Sequence, residues 1–403
     1  MSKPSPLCLL LSVAYTCLSL TALGADSAPD PFANPPTPAF NGQTNAPMAA
    51  RSNIGMEVIL ADLAPGRPRS LEALPDGSLL VAEGSGRIRV LQPDGTVSAP
   101  LTGMPPLRSG DGRILMDIEV DANFSSNRRV FFSYEAEPAA GQPGPLEQIA
   151  SARLSRDNTR FEDLQILGNL PGRRLVSTPD GKLFMTTIGF MDFRPEVQDL
   201  TSLRGKILRI NADGSIPADN PFVGVSNVRP EIYALGHRDP DGAFLHPQTG
   251  ELWTVEHGPM GGDELNIIRP GQNGGWPYIT YGKEYDGTEI GPTQWPGIAQ
   301  PVYYWFPSLA PSGLLMVQSD RYPGWQGSLL VGSLSPPQGR FLIRLVMDGE
   351  KVVAEEHLLV AYDRRIRDVA EAPDGTIYLL TDPENDPDAG RVFAGAVIRL
   401  LPR

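Results

Sequence analysis

Three short runs lie within about forty residues of one another: Gly236-His237-Arg238-Asp239-Pro240-Asp241-Gly242, Glu256-His257-Gly258-Pro259-Met260-Gly261-Gly262-Asp263-Glu264, and Gly275-Trp276-Pro277. Acids beside bare backbone carbonyls suit a hard cation such as Ca²⁺, and the glycines let backbone approach a ligand closely. The one arginine of the first two runs, Arg238, offers a planar fork of donors for a carboxylate or a sugar oxygen. His257 sits beside the Gly258-Pro259 carbonyls. No G-x-S-x-G elbow, H-E-x-x-H helix or phosphate-binding loop offers a different chemistry.

The elements around these runs repeat. Pro75-Asp76-Gly77 precedes SLLVAEG and GRIRVL, Pro179-Asp180-Gly181 precedes KLFMTTIG and GKILRI, and Pro373-Asp374-Gly375 precedes TIYLLTD and GAVIRL. Three further units, after residues 129, 250 and 327, follow the same order of turn, apolar strand, loop and second strand. Short Val-, Ile-, Leu-, Phe- and Tyr-rich strands bounded by turn residues, with no sustained helical period, predict an all-β chain. Six units at this spacing predict a six-bladed β-propeller, with a strand near Met56 to Leu63 closing the ring against the last blade. The Gly236 and Glu256 runs then fall at the channel mouth of the fourth blade.

The order of these runs, with Gly205-Lys206-Ile207-Leu208-Arg209-Ile210, Pro307 to Gly313 and Arg365-Ile366-Arg367-Asp368-Val369, resembles the soluble glucose and aldose sugar dehydrogenases that use pyrroloquinoline quinone (PQQ). The resemblance runs from about residue 56 to the C-terminus and implies the same propeller. It implies that Arg238 contacts sugar and quinone. It also implies that Arg365 and Arg367, with Asp239 and His257 nearby, face the cofactor's three carboxylates. Ca²⁺ is implied at the carbonyls of Gly258 and Pro259, and a structural Ca²⁺ at Asp263 and Glu264.

The chain departs from that pattern at the chemical centre. The family's base is a histidine in H-x-G-x-R-L, and the matching run here is Leu170-Pro171-Gly172-Arg173-Arg174-Leu175. Leucine accepts no proton. Phe190 follows Gly189 where the family carries an acid, and Ser335 stands where it carries a lysine. Asp239 and Asp241 replace two amides, which is unfavourable beside an anionic cofactor unless a cation bridges them. Asp111 and Asp192 are the carboxylates available as replacement bases. The resemblance therefore implies a PQQ- and Ca²⁺-dependent sugar dehydrogenase with a divergent site. The alternatives are a catalytically silent propeller that binds a sugar, a protein or Ca²⁺, and a Ca²⁺-dependent hydrolase using Asp111, Asp239 and Asp241.

Residues 1–24 read as a secretory signal: Lys3, an apolar run from Leu7 to Leu23, and a small-residue cleavage site before Ala25. Both cysteines, Cys8 and Cys17, lie within it, so cysteine chemistry is excluded from the mature chain. Residues 25–52, rich in Pro, Ala and Asn, are expected to be a disordered spacer before a propeller spanning 53–403. The net charge of −13 argues against a nucleic-acid partner. It suits a periplasmic or secreted protein with a small-molecule ligand and no transmembrane segment.

Overall fold

The computed structural model describes residues 32, 34–63, 68–109, 114–138, 145–335, 339–386 and 391–403. The signal segment and Asp111 lie outside them. Antiparallel sheets form the six blades of a propeller. Blade 1 comprises Pro68–Ala73, Leu79–Glu83 and Arg87–Leu91. Blade 2 comprises Leu115–Val120, Arg129–Ala136, Leu146–Leu154 and Phe161–Gly168. Blade 3 comprises Leu175–Ser177, Lys182–Thr186, Lys206–Asn211 and Ile232–Leu235. Blade 4 comprises Pro240–Leu245, Leu252–Glu256, Asp263–Ile268 and Tyr303–Trp305. Blade 5 comprises Pro311–Met316, Leu329–Ser333, Leu342–Asp348 and Lys351–Leu358. Blade 6 comprises Ile366–Glu371, Ile377–Thr381 and Gly395–Pro402, and Ile54–Leu63 pairs with Gly395–Pro402 as its outermost strand, so the ring closes as expected.

Apolar residues on the strand faces pack between neighbouring blades, and each of the six interfaces has its own buried cluster. Leu80, Ile118 and Phe132 fill the interface of blades 1 and 2, and Trp253, Val331 and Ile343 that of blades 4 and 5. Burial of this kind, at about 25 cal/mol per Å², is the main term holding the ring. The innermost strand of each blade lines the axis. Five of these strands carry a bulge near their start, between Pro68 and Ser70, Leu115 and Asp117, Pro240 and Gly242, Pro311 and Leu314, and Ile366 and Asp368. A bulge leaves a residue off the ladder and re-aims its side chain. Arg69, Asp241 and Arg367 are such residues, and all three are buried.

The expectation of a disordered spacer fails for residues 34–52, which pack along blades 4 and 5. Gln43 is fully buried and donates to the Pro301 carbonyl at 2.9 Å. Its own carbonyl accepts from the Tyr304 amide at 2.8 Å. Ala49 donates to Glu355, and Glu355 to Pro47, extending the outer strand of blade 5. Composition reports the missing apolar pattern of such a segment but not the hydrogen bonds a sheet edge offers it.

At the end of the channel away from these bulges, Glu72 and Glu119 extend from the inner strands of blades 1 and 2. Burial raises the Glu72 carboxyl well above the usual range, and Glu119, Asp117 and Asp368 add to the effect against Arg174. Asp117 is pushed up to about 6 by burial, against the pull of Arg174 and with the repulsion of Asp368. A carboxyl whose folded pKa is raised holds its proton longer than the unfolded chain does, so stability falls as pH rises from the ordinary carboxylate range through the folded value. Melting temperature is expected to drop as pH rises from about 4 through about 6 and above, and Glu72→Gln is expected to raise it by about 2 °C at the upper end and flatten the slope. Differential scanning fluorimetry across that range checks this. A steeper slope in the variant contradicts it.

Candidate ligand site at the channel mouth

Blade 4 supplies the floor of the site. The chain enters its inner strand through Gly236 and Arg238, and the Arg238 amide donates to Glu256 Oε2 at 2.7 Å. His237 Nδ1 lies 3.0 Å from Glu256 Oε1 and is buried, so this histidine clamps the entry rather than reaching ligand. After Glu256 the chain turns sharply through Gly258. A Cβ there would lie 2.0 Å from the Gly261 carbonyl oxygen, so only glycine fits. Asp263 caps the turn. Its oxygens accept from the amides of Gly258, Leu309 and Ala310 and from the Ser308 hydroxyl.

Arg238 is held as a rigid plane. Nη1 donates to the carbonyls of His257 at 2.8 Å and Gly258 at 3.1 Å, and Nη2 to the Tyr285 hydroxyl at 3.2 Å. The guanidinium carbon stands 5.3 Å from the Phe190 ring centre and 5.4 Å from that of Trp276. Phe190, which stands where the resembled family has an acid, thus faces the arginine as a cation–π partner. Arg238 Nε is buried without a hydrogen-bond partner. A cavity of about 420 Å³ opens here, lined among others by Phe190, Arg238, Asp239, His257, Tyr285 and Ser335. Phe32, from the N-terminal segment, also lines it and packs edge-on against Phe306.

Beneath the cavity the channel is a network of ion pairs. Arg173 Nε lies 2.9 Å from Asp241 Oδ1 and 3.3 Å from Asp239 Oδ1. Arg367 grips Asp382 with two bonds, 3.0 and 2.6 Å, and reaches Asp241 Oδ2 at 3.0 Å. Arg174 donates to Asp117, to both oxygens of Asp368 and to the Asp241 carbonyl. Burial opposes the charge on Asp241, but the guanidiniums of Arg173 and Arg367 outweigh it, followed by His257, and hold this carboxyl well below the usual range. His257 lies between these layers, its Nε2 2.7 Å from the Pro311 carbonyl and its Nδ1 3.7 Å from Asp239.

The structure brings Arg238, Asp239, His257, Gly258 and Pro259 to one cavity. It separates others. Arg365 precedes its strand and lies 3.3 Å from Glu384, whereas Arg367, at the bulge, turns to Asp382 and Asp241. Asp192 is exposed on a short 3-10 turn, Met191–Glu196, and does not line the cavity, so it is displaced as a replacement base. Asp263 spends its oxygens on the turn and is displaced as a cation ligand. Leu170 is buried against Phe131, Ile149 and Leu175. Arg173, Arg174, Asp117, Asp368, Asp382 and Tyr285 went unremarked in the sequence as site residues. The adjacent Arg173-Arg174 pair, unusual beside an apolar strand, was the available signal.

A family model described as Glucose / Sorbosone dehydrogenase matches residues 66–391. The chain is 35% identical over 373 residues to the aldose sugar dehydrogenase YliI of Escherichia coli, covering 89% of this chain and 96% of the relative. The crystal structure of the soluble aldose sugar dehydrogenase from Escherichia coli in its apo-form superposes with a TM-score of 0.77 at 35% identity, covering 87% of this chain and all of that one. The PQQ-bound aldose sugar dehydrogenase of Streptomyces coelicolor shares the fold, with a TM-score of 0.66 at 24% identity over 87% of this chain and all of that one.

Proposed function

Since the chain belongs to the Glucose / Sorbosone dehydrogenase family, we propose that its channel-mouth cavity binds a sugar and that, in this member, binding is not coupled to oxidation by PQQ. The observation that carries the reading is Arg238. It is fixed between Phe190 and Trp276 and lines the cavity beside Asp239, so a cationic donor and an acceptor stand together at the cavity wall. A donor next to an acceptor suits hydroxyl groups, which both accept and donate. Phe190 and Tyr285 add ring surface for the C–H face of a pyranose.

The described residues do not fit PQQ. Three carboxylates call for open cations, yet Arg173, Arg174 and Arg367 each already hold a carboxylate. The Gly258 carbonyl, the expected Ca²⁺ ligand at the quinone, accepts instead from Arg238. Leu170 cannot take the sugar proton. No catalytic step is therefore derived through the quinone. What the chain's own residues do is bind and orient: Arg238 donates to a hydroxyl oxygen, Asp239 accepts a hydrogen bond from a hydroxyl group, and the aromatic rings pack against the sugar's C–H face.

Dehydrogenation remains the second reading, favoured by the presence of Gly258 and Pro259 in the same cavity as Arg238. Calorimetric titration of the purified chain with pentoses, hexoses and disaccharides tests the first reading, and dye reduction after addition of PQQ and Ca²⁺ tests the second. Saturable sugar binding without dye reduction supports the first. Reduction of the dye displaces it.

We also propose export, from the leader at residues 1–24, with the protein acting in the periplasm or outside the cell. No helix among the described residues is long and apolar enough to cross a membrane. A mature N-terminus at Ala25 in mass spectrometry is the expected result.

For Ca²⁺, the Pro259 carbonyl and the Glu264 carboxylate remain among the candidates from the sequence, and we propose Glu264 as the charged one. It borders a very small void together with Glu256, and no group of three or more acids or histidines suited to a metal is found among the described residues. Burial, and then repulsion by Glu256, raise the Glu264 carboxyl well above its usual range. A divalent cation beside Glu264 would relieve that repulsion. Millimolar Ca²⁺ is expected to raise the melting temperature by about 2 °C at neutral pH, and Glu264→Gln to abolish the rise. An equal rise in the variant places the cation elsewhere.

A further inference from the structure

We propose that Arg173 is a resident counter-ion. Locked between Asp239 and Asp241, it makes the channel mouth a site for uncharged ligands, and neutralising those two aspartates turns the same place into a site for polycarboxylates. The proposal rests on the channel mouth being the ligand site, not on which sugar it takes.

The charges around the axis are closely balanced. Five guanidiniums, Arg69, Arg173, Arg174, Arg238 and Arg367, face five aspartates, Asp117, Asp239, Asp241, Asp368 and Asp382. All ten side chains are buried or nearly so. Asp241 is the keystone. It sits at the bulge of the blade 4 inner strand, so its carboxylate leaves the ladder and bridges Arg173 to Arg367 at 2.9 and 3.0 Å. Asp239 is set differently. It lines the cavity, and its Oδ1 approaches Arg173 at 3.3 Å without a hydrogen bond. It is thus the carboxylate that an incoming anion would meet first.

Among the described residues that line the cavity, an entering anion meets one guanidinium, Arg238, with Asp239 beside it and Asp241 beneath. Like charges brought together in a desolvated site are strongly disfavoured in recognition. A neutral polyol meets no such penalty and can use both the donor and the acceptor at the cavity wall. Asp239→Asn and Asp241→Asn keep the shape and the acceptor oxygens. They free Arg173 of both its carboxylates and Arg367 of one of its two, and the five cations then face three anions.

The test is a fluorescence and absorbance titration of the wild-type chain and of the D239N/D241N variant with PQQ and with citrate, and a calorimetric titration of the wild type with glucose and glucuronate. The expected result is no saturable binding of either polycarboxylate by the wild type, and binding by the double variant at least about 100-fold tighter. The single D239N variant, which disturbs no hydrogen bond of Oδ1, is expected to gain about 10-fold. It keeps the question open to decision should the double variant fail to fold. Wild-type affinity for PQQ equal to that of the variants overturns the proposal, as does a folded D239N/D241N chain that still binds neither polycarboxylate. Preference of the wild type for glucuronate over glucose overturns it as well. If the wild type binds no sugar at all while the double variant gains PQQ, the sugar-binding reading fails and the counter-ion role of Arg173 stands.

Discussion

Replacement of Arg174 by methionine is expected to cost about 3–5 kcal/mol of stability, because it removes one partner of a buried ion network and leaves carboxylates uncompensated. Arg174 enters blade 3. Its guanidinium holds Asp117 of blade 2 at 3.2 Å, Asp368 of blade 6 at 3.0 Å and the Asp241 carbonyl of blade 4 at 2.8 Å. Asp368 in turn accepts from the Leu71 amide of blade 1 at 2.9 Å. Arg174 thus ties the inner strands of four blades at the axis, and Asp368 adds the fifth. For a chain of this size the loss corresponds to a melting-temperature drop of about 4–6 °C. Differential scanning calorimetry of R174M measures it. Adding Asp368→Asn in the same chain is expected to recover part of the loss, because the unpaired charge goes with it, and that non-additivity separates a charge effect from a packing effect. A drop that the second substitution leaves unchanged would assign Arg174 a packing role only.

The methionine variant also bears on how the site is positioned. The Asp241 carboxylate can bridge Arg173 and Arg367 only while its backbone is held at the bulge, and Arg174 holds that backbone through its carbonyl. Loss of Arg174 is therefore expected to weaken ligand binding as well as stability, although the residue does not line the cavity. The inter-blade clusters of Leu, Val, Ile and Phe supply the bulk of the folding free energy. The axial network supplies register, a role in which buried ions serve better than as a source of net stability.

The blade count and the place of the site were legible because both depend on local signals. A turn such as Pro179-Asp180-Gly181 followed by an alternating apolar strand marks a hairpin wherever it occurs, and six such units leave few architectures open. The Gly236 and Glu256 runs flank adjacent strands of one blade, so their meeting at Arg238 and Gly258 followed from hairpin geometry. What lay beyond reach were partners distant in the chain and side chains re-aimed by bulges. Arg174 and Asp368 are 194 residues apart. Strict alternation places Arg365 and Arg367 on one face, but the bulge between Ile366 and Asp368 sends them to different acids. Phe190 read as the loss of an acid and became an aromatic wall for Arg238. Residues 34–52 read as a spacer because the hydrogen bonds that anchor them go to blades 4 and 5, distant in the chain.

Arg238→Lys is expected to weaken sugar binding by at least about 10-fold, or about 1.4 kcal/mol, with little change in melting temperature. Lysine keeps the charge but not the fork. One guanidinium serves the His257 and Gly258 carbonyls from Nη1 and Tyr285 from Nη2, and stands at the cavity wall. An ammonium on a flexible stem cannot hold that turn and offer a further donor in a fixed direction, and it lies less well against Phe190 and Trp276. Tyr285→Phe is the graded control. It removes one hydrogen bond to Arg238 from an exposed side chain, and an effect of about 3-fold is expected. Calorimetric titration with the sugar that binds the wild type measures both. If R238K binds as tightly as the wild type, the arginine only braces the Gly258 turn, and the ligand must then be held by the Asp239 and His257 side of the cavity. That outcome would move the recognition chemistry from an arginine fork to a carboxylate that Arg173 already shares.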